Sequence, residues 1–196
     1  DLFMVASAIG YYGNRGEDIV DENTSIGDDY LTDICGKWEK SADSARSAGI
    51  RTIHTRTGIV IAAVGGALGK MLLPAKMGGG GPIGGGKQFM SWISMDDQIY
   101  SMYHLMMSEE TEGAYNLTAP NPVRQKEFAK TLGKVLRRPA FAPLPGFMMK
   151  IMFGEMGVKL TLDSQRVIPK RLQETGYKFT HENLGPALQD SLGKWR

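Results

Sequence analysis

Two glycine-rich segments have the residue spacing that phosphate-binding sites use. Gly81–Lys87 matches G-x-x-x-x-G-K, and Gly10–Gly16 matches G-x-x-G-x-x-G. A nucleotide-triphosphate P-loop follows a strand, begins a helix and ends in Ser or Thr. Here Gln88 stands in place of the Ser or Thr, and a helix is predicted before the glycines. Gly10–Gly16 is followed by the acidic segment Glu17–Glu22, which would repel a pyrophosphate. We therefore predict a flexible turn at Gly81–Lys87 and a loop at Gly10–Gly16.

One cysteine and three histidines are the other residues whose types suit catalysis or metal binding. Cys35 has the chemistry of a nucleophile, but it shares the apolar face of a predicted helix with Ile34 and Trp38, where an inert buried thiol is the better interpretation. The histidines show no metal-ligand spacing, so we predict no metal site. They are His54, on a predicted strand, His104, on a predicted helix, and His181.

The composition argues against several classes of protein. The 196 residues carry a formal net charge of +2 with both signs mixed along the chain, so we predict no nucleic-acid partner. No run reaches the roughly 18 apolar residues of a membrane span, which predicts no membrane partner. A single cysteine excludes an intrachain disulfide, and we expect a reducing, cytoplasmic location.

The order of the first strands and helices indicates an α/β fold. Leu2–Ala6 is an apolar run typical of a buried strand, and Ile50–Ile61 is rich in β-branched residues. Between them, Asp28 or Asp29 can cap a helix that ends at Gly49. A strand, a helix and a second strand in this order predict two parallel strands of one sheet.

Further elements extend this layer to residue 137. They are a helix at 66–77, an extended segment at 88–93, a helix that begins at Ser94–Asp97, a strand at Ala114–Thr118 and a helix that begins at Asn121-Pro122. The residues that we expect on the buried face of the Ser94–Asp97 helix are Ile99, Met102, Tyr103 and Met106.

From Arg138 onward, proline-rich turns alternate with short predicted helices, at 146–156, 169–175 and 182–193. We therefore divide the chain into a partial α/β domain at 1–137 and a small, mostly helical region at 138–196. The Met-rich run Gly146–Phe153 suits an ordinary core helix better than a helix that docks on a partner or a membrane surface.

Several motifs, taken in chain order, point to one family. They are SAIGYYG (7–13), CGKWE (35–39), RTGIV (56–60), GGALGKMLLPAKMGGGGPIGGGKQFMSWISMDD (65–97), YNLTAPNPV (115–123) and SQRVIPKRLQETGYKF (164–179). Together they resemble the atypical, extended-type short-chain dehydrogenases/reductases of the NAD-dependent epimerase/dehydratase group. The similarity is strongest to a sugar-nucleotide-epimerase-like branch that ends in a domain of unknown function. Some of its members carry a cell-division-inhibitor label.

The resemblance implies the later part of a Rossmann-like, doubly wound parallel sheet followed by the small helical region. It also implies a segment ahead of Asp1 that carries a G-x-x-G-x-x-G turn for NAD or NADP, so that the cofactor belongs to the full-length protein. Ser7 takes the position of the catalytic serine and also lies at the cofactor. The residues that the resemblance places beside the nicotinamide are Thr57, Gly58, Ile59 and Val60.

The chain departs from the family at the residues that carry its chemistry. The family needs Y-x-x-x-K on the helix after the serine strand, with Tyr as general acid/base and Lys lowering its pKa. Cys35 stands for the Tyr and Glu39 for the Lys, and the chain contains no Y-x-x-x-K. Tyr11 and Tyr12 are alternative proton donors, although packing is the more ordinary role for aromatic residues in a loop.

The substrate side is expected on the segment that follows the glycines. By the resemblance, the candidate substrate-binding residues are Lys87, Gln88, Trp92 and Arg124. Lys87 can meet a diphosphate and Trp92 can stack on a base or sugar, against the alternatives of a solvated lysine and a core tryptophan. Asp96 and Asp97 are expected to be helix caps.

These observations favour an NAD(P)-binding epimerase/dehydratase-like oxidoreductase that acts on a small molecule, with a nucleotide-sugar as the implied class, and they leave a homo-oligomer open. The alternative is a non-catalytic dinucleotide-sensing or cell-division-related regulatory protein on a reductase scaffold. The missing Tyr and Lys favour the alternative, whereas Ser7 and the intact glycine segment favour the enzyme.

Overall fold

The structure, a computed structural model, describes residues 1–140, 142, 143, 151, 154 and 161–194. Its strands are β1 (Leu2–Ala8), β2 (Ile19–Val20), β3 (Arg51–Thr57), β4 (Ile59–Ile61), β5 (Phe89–Met90), β6 (Trp92–Ser94), β7 (Gly113–Leu117), β8 (Val123–Arg124) and β9 (Arg166–Val167). Its helices are α1 (Tyr30–Lys40), α2 (Asp43–Ser47), α3 (Gly66–Lys76), α4 (Met95–Met107), α5 (Gln125–Leu136), α6 (Lys170–Glu174) and α7 (Leu184–Ser191).

The main sheet is a three-stranded parallel layer in the order β1-β3-β7, which confirms the predicted Rossmann-like arrangement. Each crossover between these strands contains helices, as parallel pairing requires. The register sets Ser7 beside Arg56, and Arg56 beside Asn116. Three polar side chains therefore meet in one row at the carboxyl end of the sheet.

The predicted strand Ile50–Ile61 is in fact two strands that belong to different sheets. The chain turns at Gly58, where an added Cβ would lie 2.7 Å from the carbonyl oxygen of Ser91 and 2.9 Å from the Thr118 side chain. Beyond this close approach, β4 pairs in parallel with β6. A β-branched run signals extended backbone but not its partner, so the sequence pattern did not reveal the break.

Two helix boundaries differ from prediction by several residues. Asp29 caps α1 as expected, since its Oδ1 accepts a hydrogen bond from the Thr32 N–H at 2.9 Å, but the helix ends at Lys40 rather than Gly49 and α2 follows separately. The helix predicted to begin at Asn121-Pro122 begins at Gln125. The two residues before Gln125 form β8, which pairs antiparallel with β5.

The predicted buried face of α4 is largely wrong. Ile99 and Tyr103 are 54% and 60% exposed, whereas Ser101 and Leu105 are fully buried. The capped start of the helix was predicted correctly, but Ser94 is the N-cap residue, and Asp96 and Asp97 lie in the first turn. The Asp97 N–H donates to Ser94 Oγ at 3.0 Å, and Ser94 Oγ donates back to the Asp97 carboxylate at 2.7 Å. Asp97 is itself fully buried, and this turns the polar start of the helix inward.

The glycine-rich segment forms a turn that closes over the beginning of α5. It lies between α3 and β5, as predicted, whereas a P-loop lies between a strand and a helix. Ile83 N–H donates to Gln125 Oε1 at 2.8 Å, and Lys126 N–H donates to the Gly86 carbonyl at 3.0 Å. Gly86 has φ +67°, and an added Cβ would lie 2.8 Å from the Lys126 side chain, so both conformation and space favour glycine there.

Two hydrophobic cores hold these elements together. One lies between the sheet, α4 and α6 and includes Ile53, Leu105 and Leu172. The other contains residues from α3, α5 and α7, so the region after residue 138 shares a core with the α/β layer. The predicted helix at 146–156 and the run Gly146–Phe153 lie outside the described residues, apart from isolated positions. In the described part of the chain, the helices are too short or too polar to cross a bilayer.

Candidate functional site

A chain of five side chains occupies the carboxyl end of the main sheet, and we call it the Arg56 network. Ser7 Oγ donates to Glu39 Oε1 at 2.8 Å. Arg56 donates to both oxygens of Glu39, from Nε and Nη2, each at 2.8 Å. Arg56 Nη1 also donates to the Tyr12 hydroxyl at 2.9 Å, and this hydroxyl donates to Asn116 Oδ1 at 2.7 Å.

The sheet and one helix position this network. Ser7, Arg56 and Asn116 come from neighbouring positions at the ends of β1, β3 and β7. Glu39 comes from the last turn of α1, which packs on β1, and Tyr12 from the turn that follows β1. Because the carboxyl ends of parallel strands meet at one edge, residues far apart in sequence form one cluster there.

The charges of the network are paired and buried. The Arg56 and Glu39 side chains are only 5% and 12% exposed. Burial opposes both charges, but their mutual hydrogen bonds outweigh it and raise the pKa of Arg56 while they lower the pKa of Glu39. The pair is therefore ionised at neutral pH, with its bidentate geometry complete.

Cys35 and Glu39 lie where the family's Tyr and Lys are expected, and neither offers the family's chemistry. Cys35 is buried, and burial together with the nearby Glu39 carboxylate raises the pKa of its thiol, so the thiol stays protonated. Glu39 is held by Arg56 and Ser7 and carries the charge opposite to lysine. The Tyr-x-x-x-Lys mechanism has no equivalent at these two positions.

The two tyrosines after Ser7 have different surroundings. Tyr12 is fully buried, and burial is the largest effect that raises its pKa to about 12, so its hydroxyl remains a hydrogen-bond donor at neutral pH. Tyr11 lies under the Arg56 guanidinium, with Cζ 3.5 Å from the ring centroid. Tyr11 also lines a cavity of about 460 Å³ together with Glu39, His54 and Arg56.

His54 faces the same cavity from β3. Its Nε2 lies 3.0 Å from Arg46 Nη2, and its buried Nδ1 has no hydrogen-bond partner among the described residues. Burial lowers the pKa of the imidazole, so His54 is neutral at neutral pH.

The residues predicted to lie beside a nicotinamide follow Arg56 directly. Thr57 ends β3, and its Oγ1 lies 3.3 Å from Gln98 Nε2. Gly58 packs against Ser91, and Ile59 and Val60 continue into β4, each half-buried. The structure therefore brings these residues next to the Arg56 network in sequence and at the same edge of the sheet, while a role at the cofactor remains a prediction.

The candidate substrate-binding residues separate into exposed and buried sets. Lys87 is exposed, and Arg124 pairs bidentately with Glu17 at 2.9 and 2.7 Å. The Arg124 and Arg166 guanidiniums lie 4.4 and 5.0 Å from the ring centroid of Phe89. We call Lys87, Phe89, Arg124 and Arg166 the Phe89 surface.

Gln88 and Trp92 have structural contacts instead. The Gln88 amide donates to the carbonyls of Ile83 and Thr161 at 3.1 and 3.0 Å. Trp92 is fully buried in the core with α3 and α5, and its indole N–H donates to the Asn121 carbonyl at 3.1 Å. With its ring in the core, Trp92 has no face free for a substrate, which favours the core alternative.

The loop after β1 connects the Arg56 network with the Phe89 surface. The Gly10–Gly16 segment forms a 3-10 turn and is followed by β2, not by a helix. Gln165 Nε2 donates to the carbonyls of Ile9 and Gly13 at 3.2 and 3.1 Å, and Ser164 N–H donates to Asn14 Oδ1 at 3.1 Å. The glycines therefore shape a turn that is clamped onto the segment before β9.

Sequence reasoning missed Tyr12 as a buried link and Arg56 and Asn116 as members of the site. Arg56 lies in a predicted strand, where a charged residue inside a β-branched run was the available signal of a buried partner. Nothing local identified Glu39 as that partner, because 17 positions separate the two residues.

Comparisons with known proteins concern the family and the fold of the chain. Residues 144–191 match a family described as a domain of unknown function, DUF1731. An Arabidopsis thaliana protein, "Epimerase family protein SDR39U1 homolog, chloroplastic", is 40% identical over 96% of this chain and 54% of its own length. The chain thus spans about half the length of this relative.

Two solved structures are similar in both sequence and fold. The human epimerase family protein SDR39U1 (isoform 2), determined with NADPH, gives a TM-score of 0.89 at 35% identity over 99% of this chain and 66% of the human chain. A nucleoside-diphosphate sugar epimerase from Corynebacterium glutamicum gives 0.78 at 31% identity over 98% of this chain and 37% of that protein.

Proposed function

Since the chain belongs to the epimerase family that it matches over 96% of its length, we propose that it forms the nicotinamide side and the substrate side of an NAD(P)-binding, epimerase/dehydratase-like oxidoreductase. The observation that carries this proposal is the carboxyl edge of the parallel sheet, where Ser7 and Arg56 meet and Thr57–Val60 follow. Ligands of open α/β sheets lie at this edge. The related human protein, determined with NADPH, supports NADP or NAD as the cofactor.

The Phe89 surface suits an anionic substrate of the nucleotide-sugar class. Two guanidiniums over one aromatic ring concentrate positive charge at a half-exposed position. The Glu17 carboxylate accepts two hydrogen bonds from the Arg124 guanidinium. Arginine binds phosphate with the same bidentate geometry. We infer that a substrate diphosphate displaces Glu17, with Lys87 as a further cation.

A second candidate function, dinucleotide sensing without turnover, is favoured by the closed Arg56 network. Glu39 replaces the catalytic lysine and is neutralised by Arg56, and the raised pKa of Tyr12 makes it a poor general base. In the enzyme, the Ser7 hydroxyl would exchange its hydrogen bond to Glu39 for one to a substrate carbonyl or hydroxyl. In the sensor, Ser7 keeps its bond to Glu39 when the cofactor binds.

Hydrogen exchange with NADPH tests where the cofactor lies. In the full-length protein, we expect NADPH to slow amide exchange in the peptides that contain Ser7 and Thr57–Val60, because a bound cofactor protects the segments that it contacts from local opening. Saturable NADPH binding without slower exchange in either of these two segments would refute the proposed location.

Turnover separates the two candidate functions. With UDP-glucose as the probe, the enzyme should form an epimer or change nicotinamide absorbance, and Ser7→Ala should slow this reaction at least about tenfold. Cofactor binding without turnover of nucleotide-sugar probes, and with Ser7→Ala binding NADPH as well as wild type does, would support the sensor.

The partners and compartment follow from the same proposal. We propose a small-molecule substrate, neither nucleic acid nor membrane as a partner, and a cytoplasmic location compatible with the single cysteine. The Arabidopsis thaliana relative is described as chloroplastic. Sedimentation of the purified protein tests whether it is a homo-oligomer.

A further inference from the structure

Three side chains of types that bind metal ions lie close together away from the sheet edge, where α4 begins and α7 ends. The donor atoms of Asp96, His181 and Asp190 all lie within 4.8 Å of one another. Asp96 is in the first turn of α4, His181 precedes α7, and Asp190 lies in the last turn of α7. The sequence pattern did not reveal this group, because about 85 residues separate its first and second members.

His181 is buried, and one nitrogen of its ring is unpartnered within the described part of the chain. The residue is 7% exposed, and its Nδ1 has no hydrogen-bond partner among the described residues. The imidazole lies between two carboxylates, with Nδ1 3.9 Å from Asp97 Oδ2 and Nε2 3.8 Å from Asp190 Oδ2. Both distances exceed those of a hydrogen bond.

Asp97 is anchored rigidly behind this histidine. Its carboxylate accepts hydrogen bonds from the Tyr177 hydroxyl at 3.0 Å and from the N–H groups of Thr180 and His181 at 2.7 and 2.9 Å. These bonds fix the position of the His181 backbone against the start of α4. A histidine that binds metal through one nitrogen commonly donates its other N–H to such a carboxylate.

We propose that Asp96, His181 and Asp190 bind one divalent transition-metal ion, with Nε2 of His181 as the nitrogen ligand and Asp97 as the acceptor for its Nδ1–H. Asp96 is half-buried and the Asp190 side chain is 31% exposed, so both carboxylates have room to close on the ion. Ligands of one zinc ion lie about 3.3 Å apart, which follows from metal–ligand distances of about 2.0–2.1 Å. One water completes the coordination.

The ligand set selects the class of metal. One imidazole nitrogen with two carboxylate oxygens suits zinc and its neighbours, whereas magnesium and calcium prefer oxygen ligands alone. The ion would join the segment before α7 to α4 and therefore fasten the carboxyl-terminal region to the α/β layer. This site is independent of the cofactor and substrate proposals, since it uses none of their residues.

Zinc titration of the metal-free chain by calorimetry tests the proposal. We expect one zinc ion per chain at micromolar or lower Kd, no competition from excess magnesium, and a higher Tm with zinc present. Asp190→Asn and Asp96→Asn should each weaken zinc binding at least about tenfold, because each removes an anionic ligand. Glu182→Gln removes an exposed neighbouring charge and should bind zinc as wild type does.

A structural role for these residues would give a different result. The two asparagine variants keep the shape of the side chains, so their Tm without zinc shows whether they fold. The proposal is overturned if wild type fails to bind zinc at one site, or if both variants bind it with wild-type affinity. Cobalt provides a second measurement: a four-coordinate visible absorption spectrum in wild type that Asp190→Asn loses.

Discussion

The Arg56 network and the Phe89 surface both place arginine against aromatic rings, but they differ in burial and in pairing. In the network, the Arg56 side chain is 5% exposed and its ion pair lies entirely within the protein. At the Phe89 surface, the Arg124 side chain is 32% exposed and its partner Glu17 is 68% exposed. The same residue type is therefore fixed in one region and accessible in the other.

This difference predicts a structural role for the Arg56 network and a ligand-binding role for the Phe89 surface. A buried, bidentate pair holds the sheet edge and the α1 helix in one geometry, because either charge alone would be costly there. An exposed arginine can exchange its carboxylate partner for a phosphate at little cost. We therefore expect changes in the network to act on stability and changes at the Phe89 surface to act on ligand affinity.

Arg56→Met should have the largest effect. It leaves the Glu39 carboxylate buried without its partner, and we expect the free energy of unfolding to fall by about 3–5 kcal/mol in urea denaturation. Lys37→Met is the matched control, because Lys37 pairs with Asp33 at the surface of the same helix. Equal losses in the two variants would contradict the contrast between buried and exposed pairs.

Trp92→Phe should show that Trp92 belongs with the buried region. It removes the indole N–H bonded to the Asn121 carbonyl and leaves a small cavity, so we expect a loss of about 1–3 kcal/mol in unfolding free energy. UDP affinity should stay unchanged in the same variant. A clear loss of UDP binding in a folded Trp92→Phe protein would restore Trp92 to the substrate site.

The acid stability of the network gives a third test. The pKa of Glu39 is below its usual value of 4.5, so Glu39 contributes stability above that pH and loses it as the pH falls through its folded pKa. We expect wild type to lose stability below about pH 4.5 more steeply than Glu39→Gln does. Parallel curves from chemical denaturation at pH 3–7 would rule out this contribution.

Glu17→Gln should have the smallest effect on stability and a visible effect on binding. Glu17 is the carboxylate that now occupies Arg124, so its removal should tighten UDP binding several-fold. Arg124→Ala should weaken it, while urea denaturation of both variants stays close to wild type. An unchanged UDP affinity in both would separate Arg124 from the substrate site without affecting the NADPH proposal.

The sequence predicted the local features of the fold well. Short-range preferences of residues for caps, strands and turns account for four of these features. They are the strand at Leu2–Ala6, the Asp29 cap of α1, the start of α4 and the turn at Gly81–Lys87. The break at Gly58 and the outward face of Ile99 and Tyr103 did not, because both depend on which other element packs there.

For the site, the sequence determined that the chain contains no Tyr-x-x-x-Lys and that Cys35 and Glu39 stand where the resemblance implies this pair, since residue identity alone decides whether the pair is present. Only the tertiary structure decided what Glu39 does instead, because its partners Ser7 and Arg56 lie 32 and 17 positions away. They meet Glu39 through the parallel pairing of β1 with β3 and the packing of α1 on β1. Likewise, only the tertiary structure decided that Trp92 lies in the core and that His181 lies between two carboxylates. Burial and long-range proximity are properties of the packed chain, and no local pattern encodes them.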